Sequence, residues 1–119
     1  MINTNYNNQI TFQSKFLPSK ARTEVDEYAK TLGYDNFING LNKELKHYRN
    51  YSFRLKHHYS KPHKICKTEI SYSKDNIPYK YTVMDNKITN PVELSFNILF
   101  SLKDKTSKAF KEIFSFKIN

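Results

Sequence analysis

The chain has 119 residues and a formal net charge of +9, with 38% hydrophobic and 15% aromatic residues. That length suits one domain with a real core and is short for two, and the apolar content argues against intrinsic disorder. A single cysteine excludes an internal disulfide, no segment reads as a signal peptide, and the longest apolar run, Val92 to Leu102, is interrupted by Glu93 and Asn97. A cytoplasmic protein without membrane contact is the expectation.

The opening NTNYNNQ is polar, and residues 1–8 are expected to be loose. Gln9 to Phe16 alternates, with Ile10, Phe12 and Phe16 on one side and Thr11, Gln13 and Lys15 on the other, which predicts a strand. Pro18 and Ser19 open a helix in which Ala21, Val25, Tyr28, Ala29 and Leu32 recur at helical spacing, and Gly33 suits the C′ position. A second helix begins near Asp35 as N-cap. It turns Phe37, Ile38, Leu41, Leu45 and Tyr48 inward and Lys43, Lys46 and His47 outward, with Gly40 a modest weakness.

The central segment predicts a three-stranded meander. Tyr51, Phe53, Leu55, His57 and Tyr59 alternate with Arg54, Lys56 and His58, which separates an apolar face from a basic one. A four-residue loop from Ser60 to His63 sets Phe53 opposite Ile70, Leu55 opposite Thr68, His57 opposite Cys66 and Arg54 opposite Glu69. A two-residue turn at Asp75 and Asn76 then sets Tyr72 beside Tyr79, Ile70 beside Tyr81 and Thr68 beside Val83. Asn90, Pro91 and Glu93 form an N-cap, N1 and N3 series that starts a C-terminal helix, either broken around Lys103 to Thr106 or continuous through Ile113. The expected fold is a single α+β domain over residues 1–119. Its antiparallel sheet, the N-terminal strand plus the meander, is packed on one face by helices in the order β-α-α-β-β-β-α.

Charge is concentrated in the middle of the chain. From Lys43 to Lys67, eight basic residues stand against Glu44 alone, so this segment carries +7 of the total, and all four histidines lie there. Such a block is the electrostatic footprint expected for nucleic acid or another polyanion. The candidate contacts are Arg54, Lys56, His58, Lys67 and Lys80 on the sheet face away from the helices, with Lys61, His63 and Lys64 at the hairpin tip. Tyr72, Tyr79, Tyr81 and Phe53 point to the core in this register. The exposed face therefore has no aromatic platform for stacking single-stranded bases, and binding is expected to be driven by charge and shape.

The stretch HHYSKPHKIC also raises metal and thiol chemistry. His57, His58, His63 and Cys66 match none of the paired Cys/His spacings of zinc sites, and adjacent His57 and His58 point to opposite faces of a strand. No metal or other cofactor is expected. A Cys66 nucleophile beside His57 is weighed against a small buried thiol, the commoner role. There is no glycine-rich phosphate loop and no pair of carboxylates placed beside a general base, so no catalytic residue is assigned.

At the level of fold, the α-β-β-β-α order from Asp35 onward resembles a double-stranded-RNA-binding domain, with Lys61-Pro62-His63 where that family carries a proline and a histidine. The stretch Asn86-Lys87-Ile88-Thr89-Asn90 departs from it, lacking the lysine cluster that opens the family's last helix. The complete element order is similar to bacterial mRNA-cleaving toxins, whose basic catalytic residues have Arg54, Lys56 and Lys67 as nearest counterparts. The leading expectation is a non-enzymatic protein that contacts RNA or DNA backbone. The alternatives are an interaction or inhibitor module docking on an acidic protein partner, and a metal-independent ribonuclease using Arg54, Lys56, His58 and Lys67.

Overall fold

A computed structural model describes residues 14–48 and 51–114. In chain order the elements are β1 (Lys15–Phe16), α1 (Lys20–Thr31), α2 (Phe37–Leu45), β2 (Tyr51–Ser60), β3 (Ile65–Lys74), β4 (Ile77–Asp85), α3 (Pro91–Ser101) and α4 (Lys108–Phe114). They form one α+β domain whose four-stranded sheet has the order β1-β2-β3-β4. Gln9 to Gln13, the first part of the predicted N-terminal strand, lies outside the described residues, as do residues 1–8.

The sheet is mixed, which corrects the expectation of a wholly antiparallel one. β1 runs parallel to β2, pairing Lys15 with Ser52 and Phe16 with Phe53, while β2–β3 and β3–β4 are antiparallel. The cause is the connection: the chain crosses over through α1 and α2 before β2, and a crossover of that kind, unlike a hairpin, can return a strand in the same direction as its neighbour.

Local chemistry explains the helix boundaries. Ser19 caps α1 by accepting from the Arg22 N–H at 3.1 Å. Gly33, at φ +93°, ends it in a Schellman motif with the Gly33 and Tyr34 amides bonded to Lys30 and Ala29 carbonyls. Asp35 is not the cap of α2. Asn36 stands there in a left-handed conformation, and the Asp26 carboxylate of α1 accepts from the Ile38 N–H at 3.0 Å. Asn90 caps α3 as its spacing predicts, accepting from Val92 N–H at 2.9 Å. Asp104, accepting from both the Thr106 amide and its hydroxyl, organises a turn that separates α3 from α4.

The core lies between the helices and one sheet face. Phe16 stacks on Phe53 with ring centroids 4.8 Å apart, and Phe53, Leu55 and Ile70 are fully buried beneath Val25, Leu41, Leu99 and Phe114. In the α3–α4 segment Leu99, Leu102, Ala109 and Ile113 all reach this core although the helix is broken between them. Among the described residues, no helix is long and apolar enough to cross a membrane.

Candidate functional site

Strict alternation places one set of strand side chains on the side away from the helices. Cross-strand rows follow from the register: Ser52–Ser73–Pro78, Arg54–Ser71–Lys80, Lys56–Glu69–Thr82 and His58–Lys67–Met84. Lys15, paired with Ser52, joins the first row from β1. The β2–β3 register differs from the expected one: Arg54 faces Ser71 and Lys56 faces Glu69, while on the helix side His57 faces Thr68 and Tyr59 faces Cys66. The loop is the cause, since it comprises residues 61–64, with Lys64 at φ +53°, and begins one residue later than expected. The β3–β4 register and the two-residue turn are as read from the sequence, with Asp75 and Asn76 both left-handed.

Arg54, Lys56, His58 and Lys80 are exposed on this face, and Lys61, His63 and Lys64 are exposed at the tip. Lys67 is only partly exposed, because it leans on Glu69 at 3.3 Å, and Lys80 approaches the same carboxylate at 3.8 Å. Among the described residues, Glu69 is the one acidic side chain that the strands present on this side. Its partial burial would raise its pKa, but the Lys67 hydrogen bond and the charges of Lys80 and Lys56 outweigh that and hold the carboxyl below its usual range. The face thus carries Lys15, Arg54, Lys56, Lys67 and Lys80 against one ionised carboxylate.

Arg54 is tethered by one nitrogen, Nη1 donating to the Pro18 carbonyl at 3.1 Å, which aims the guanidinium toward the loop after β1. Beside it the short side chains of Ser52, Ser71 and Ser73 leave a shallow hollow of about 530 Å3 between Arg54 and Lys80, rimmed by Leu17 and Pro78. Sequence reasoning missed Lys15 and the serines. The signal was available in the alternation that puts Lys15 opposite Phe16 and the serines in step with Arg54, but the hollow exists only in the true register.

The opposite side of β2 carries different chemistry. His57 is almost completely enclosed and bridges layers: Nε2 lies 2.9 Å from Glu24 Oε1 of α1 and Nδ1 lies 3.0 Å from Ser95 Oγ of α3. Ser95 Oγ is in turn 2.9 Å from Thr68 Oγ1, and both hydroxyl residues are buried. Cys66 is buried too, and burial followed by the nearby Asp85 and Glu93 charges pushes its thiol pKa up, away from the reactive thiolate. His57 is therefore directed to Ser95 and Glu24 and is not the register partner of Cys66. Among the described residues, no group of three or more His, Cys, Asp or Glu side chains is placed to hold a metal ion.

One aromatic expectation changes. Phe53 is fully buried and Tyr72 and Tyr81 partly so, but Tyr79 is 47% exposed because β4 extends beyond the helices, and it stacks on Tyr72 at 5.4 Å. It faces the helix side, so among the described strand residues the open face still presents no tyrosine or phenylalanine. The molecule is an α+β protein with an open, cation-lined sheet face. Comparison of the chain with profiles of protein families, with curated proteins and with solved structures gives no match.

Proposed function

We propose that the protein binds the sugar-phosphate backbone of RNA or DNA through the open face of β2–β4 and the β2–β3 tip. The observation that carries this reading is the gathering of Lys15, Arg54, Lys56, Lys67 and Lys80 onto one sheet face, continuous with Lys61 and Lys64, where among the described strand residues Glu69 is the one carboxylate. Phosphates are held by such arrays through charge and hydrogen bonding, and the hydroxyls of Ser71 and Thr82 supply further donors. Little on the face reads base edges, so affinity exceeds sequence selectivity.

The test is a fluorescence anisotropy titration with single- and double-stranded RNA and DNA at several salt concentrations. Release of counterions makes the affinity fall steeply with salt, with a logarithmic slope of roughly −0.7 to −0.9 per phosphate neutralised. Absence of binding at low salt rejects the reading.

A second reading, docking on an acidic protein partner, is favoured by the edge strand β4, which leaves Ile77, Tyr79 and Met84 exposed beside the cations. Capture from cell extract with and without nuclease separates the two, since a nucleic-acid-borne interaction is lost on nuclease treatment.

A further inference from the structure

The hollow beside Arg54 lies where the cationic track stops. From the tip, charged rows descend the open face through His58–Lys67 and Lys56–Glu69 to Arg54–Ser71–Lys80. The following row, Ser52–Ser73–Pro78, has no cation within the meander and is flanked only by Lys15 of β1. Beyond it, Tyr51, Lys74 and Ile77 alternate to the helix side and the chain turns at Asp75 and Asn76. A strand laid along this track has room to continue over the hollow, and among the described residues it meets no cation on this face beyond Lys15.

We propose that the hollow is an end-binding site, which takes the terminal phosphomonoester of a nucleic-acid strand together with its first nucleoside. This rests on the backbone-binding reading above and deepens it. Neighbouring strands are spaced by about 4.8 Å, so Arg54 and Lys80 spring from positions about 10 Å apart with Ser71 midway between them. Both cations line the hollow: Arg54, whose Nη1 is held by the Pro18 carbonyl, offers Nη2 to an anion seated over the Ser71 hydroxyl, and such an anion draws the Lys80 ammonium away from Glu69, from which it is 3.8 Å.

A terminal phosphomonoester carries close to two negative charges where an internal diester carries one, and phosphate monoesters approach about −2 near neutrality. Two cations around one hydroxyl match the dianion better than the diester. The rest of the hollow is lined by the Ser52 and Ser73 hydroxyls, 3.3 Å apart, and by the apolar Leu17 and Pro78. Its volume of about 530 Å3 falls inside the usual span of roughly 300–1,000 Å3 for small-ligand sites. Hydroxyls for the sugar and apolar walls for the base suit a single nucleoside unit.

The experiment is a competition titration of the full chain with three oligonucleotides of identical sequence, ending in a 5′-phosphate, a 3′-phosphate or hydroxyls only. One of the phosphorylated oligonucleotides is expected to compete about tenfold better than the hydroxyl-ended one, the effect of an added charge-assisted contact. Ser73→Leu, which fills the hollow on an open sheet face, is expected to erase that difference while hydroxyl-ended binding through the tip persists. Ser52→Val serves as a second filler should the first fail to fold. Equal competition by all three oligonucleotides, or a preference that survives both fillers, overturns the end-binding site and leaves backbone binding standing. No binding of any of them at low salt overturns both.

Discussion

The imidazole of His57 and the hydroxyl of Ser95 meet at 3.0 Å between the sheet and α3, with neither side chain open to water beyond a few per cent. Through Nε2 the same ring reaches Glu24, so β2 is tied to α1 and α3 by one side chain, and Thr68 extends the chain of bonds to β3. This resembles the layout of a nucleophile, base and carboxylate. Ser95 is fully buried, however, so the arrangement acts as a polar strut between the layers. Ser95→Ala leaves the Nδ1 and Thr68 hydroxyl partners without their bond and is expected to cost about 1–3 kcal/mol. Chemical denaturation measures the loss, and nucleic-acid affinity of the folded variant should be unchanged because the strut lies on the other side of the sheet.

Glu69 competes with any bound anion for Lys67 and Lys80. Glu69→Gln removes one negative charge from the centre of the face and frees both ammonium groups. Affinity for a polyanion is expected to rise several-fold, with a steeper salt dependence by about one phosphate equivalent. Anisotropy titrations of the two proteins at matched salt give the comparison, and an unchanged slope counts against this face as the contact surface.

The tip contributes charge without contributing core. Lys61, His63 and Lys64 are exposed. Replacing all three by alanine should weaken polyanion binding and flatten its salt dependence, with a change in unfolding free energy within the scatter of surface substitutions, about 0.5 kcal/mol or less. A large loss of stability would mean that the tip packs against something beyond its own hairpin.

Three tyrosines make the fold sensitive to alkali. Burial pushes the phenols of Tyr51, Tyr72 and Tyr81 above the ordinary value of 10.0, helped at Tyr51 by Tyr72 and Asp75, at Tyr72 by Tyr79 and Glu112, and at Tyr81 by Glu112. The unfolded chain loses these protons first as pH rises. Their contribution is therefore complete below about pH 10 and is lost progressively as the pH climbs through the raised values of the folded protein. Denaturation midpoints should fall above about pH 10, and the share of tyrosinate absorbance that comes from these three of the nine tyrosines should appear together with unfolding.

The faces of the sheet were legible in the sequence, but the lateral position of one strand was not. Moving the β2–β3 loop by one residue changes each pairing by two, which keeps every side chain on its own face: Phe53 has Tyr72 in place of Ile70, and Arg54 has Ser71 in place of Glu69. Period-two alternation is blind to such a slip. The turn at Asp75 and Asn76 was readable because these residues tolerate a left-handed backbone, whereas Lys64 adopts the same conformation with no compositional signal. Likewise Ser19 and Asn90 cap their own helices and could be recognised locally, while the cap of α2 comes from Asp26 in another helix. The parallel placement of β1 and the hollow at Ser71 depend on contacts between distant segments.

The turn at Asp75 and Asn76 bears on the order in which the molecule assembles. Closing a two-residue connection costs far less chain entropy than bringing β1 to β2 across both intervening helices. The β3–β4 hairpin is thus the cheapest long pairing to nucleate, and β1 is the last strand to gain from docking. Substitutions at Tyr72 or Tyr81 should slow refolding, whereas Phe16→Leu should chiefly accelerate unfolding, as stopped-flow chevrons of the variants can distinguish. On that route Ser71, Lys80 and Glu69 are aligned before Lys15 arrives, so the open cationic face takes shape ahead of the edge that completes it.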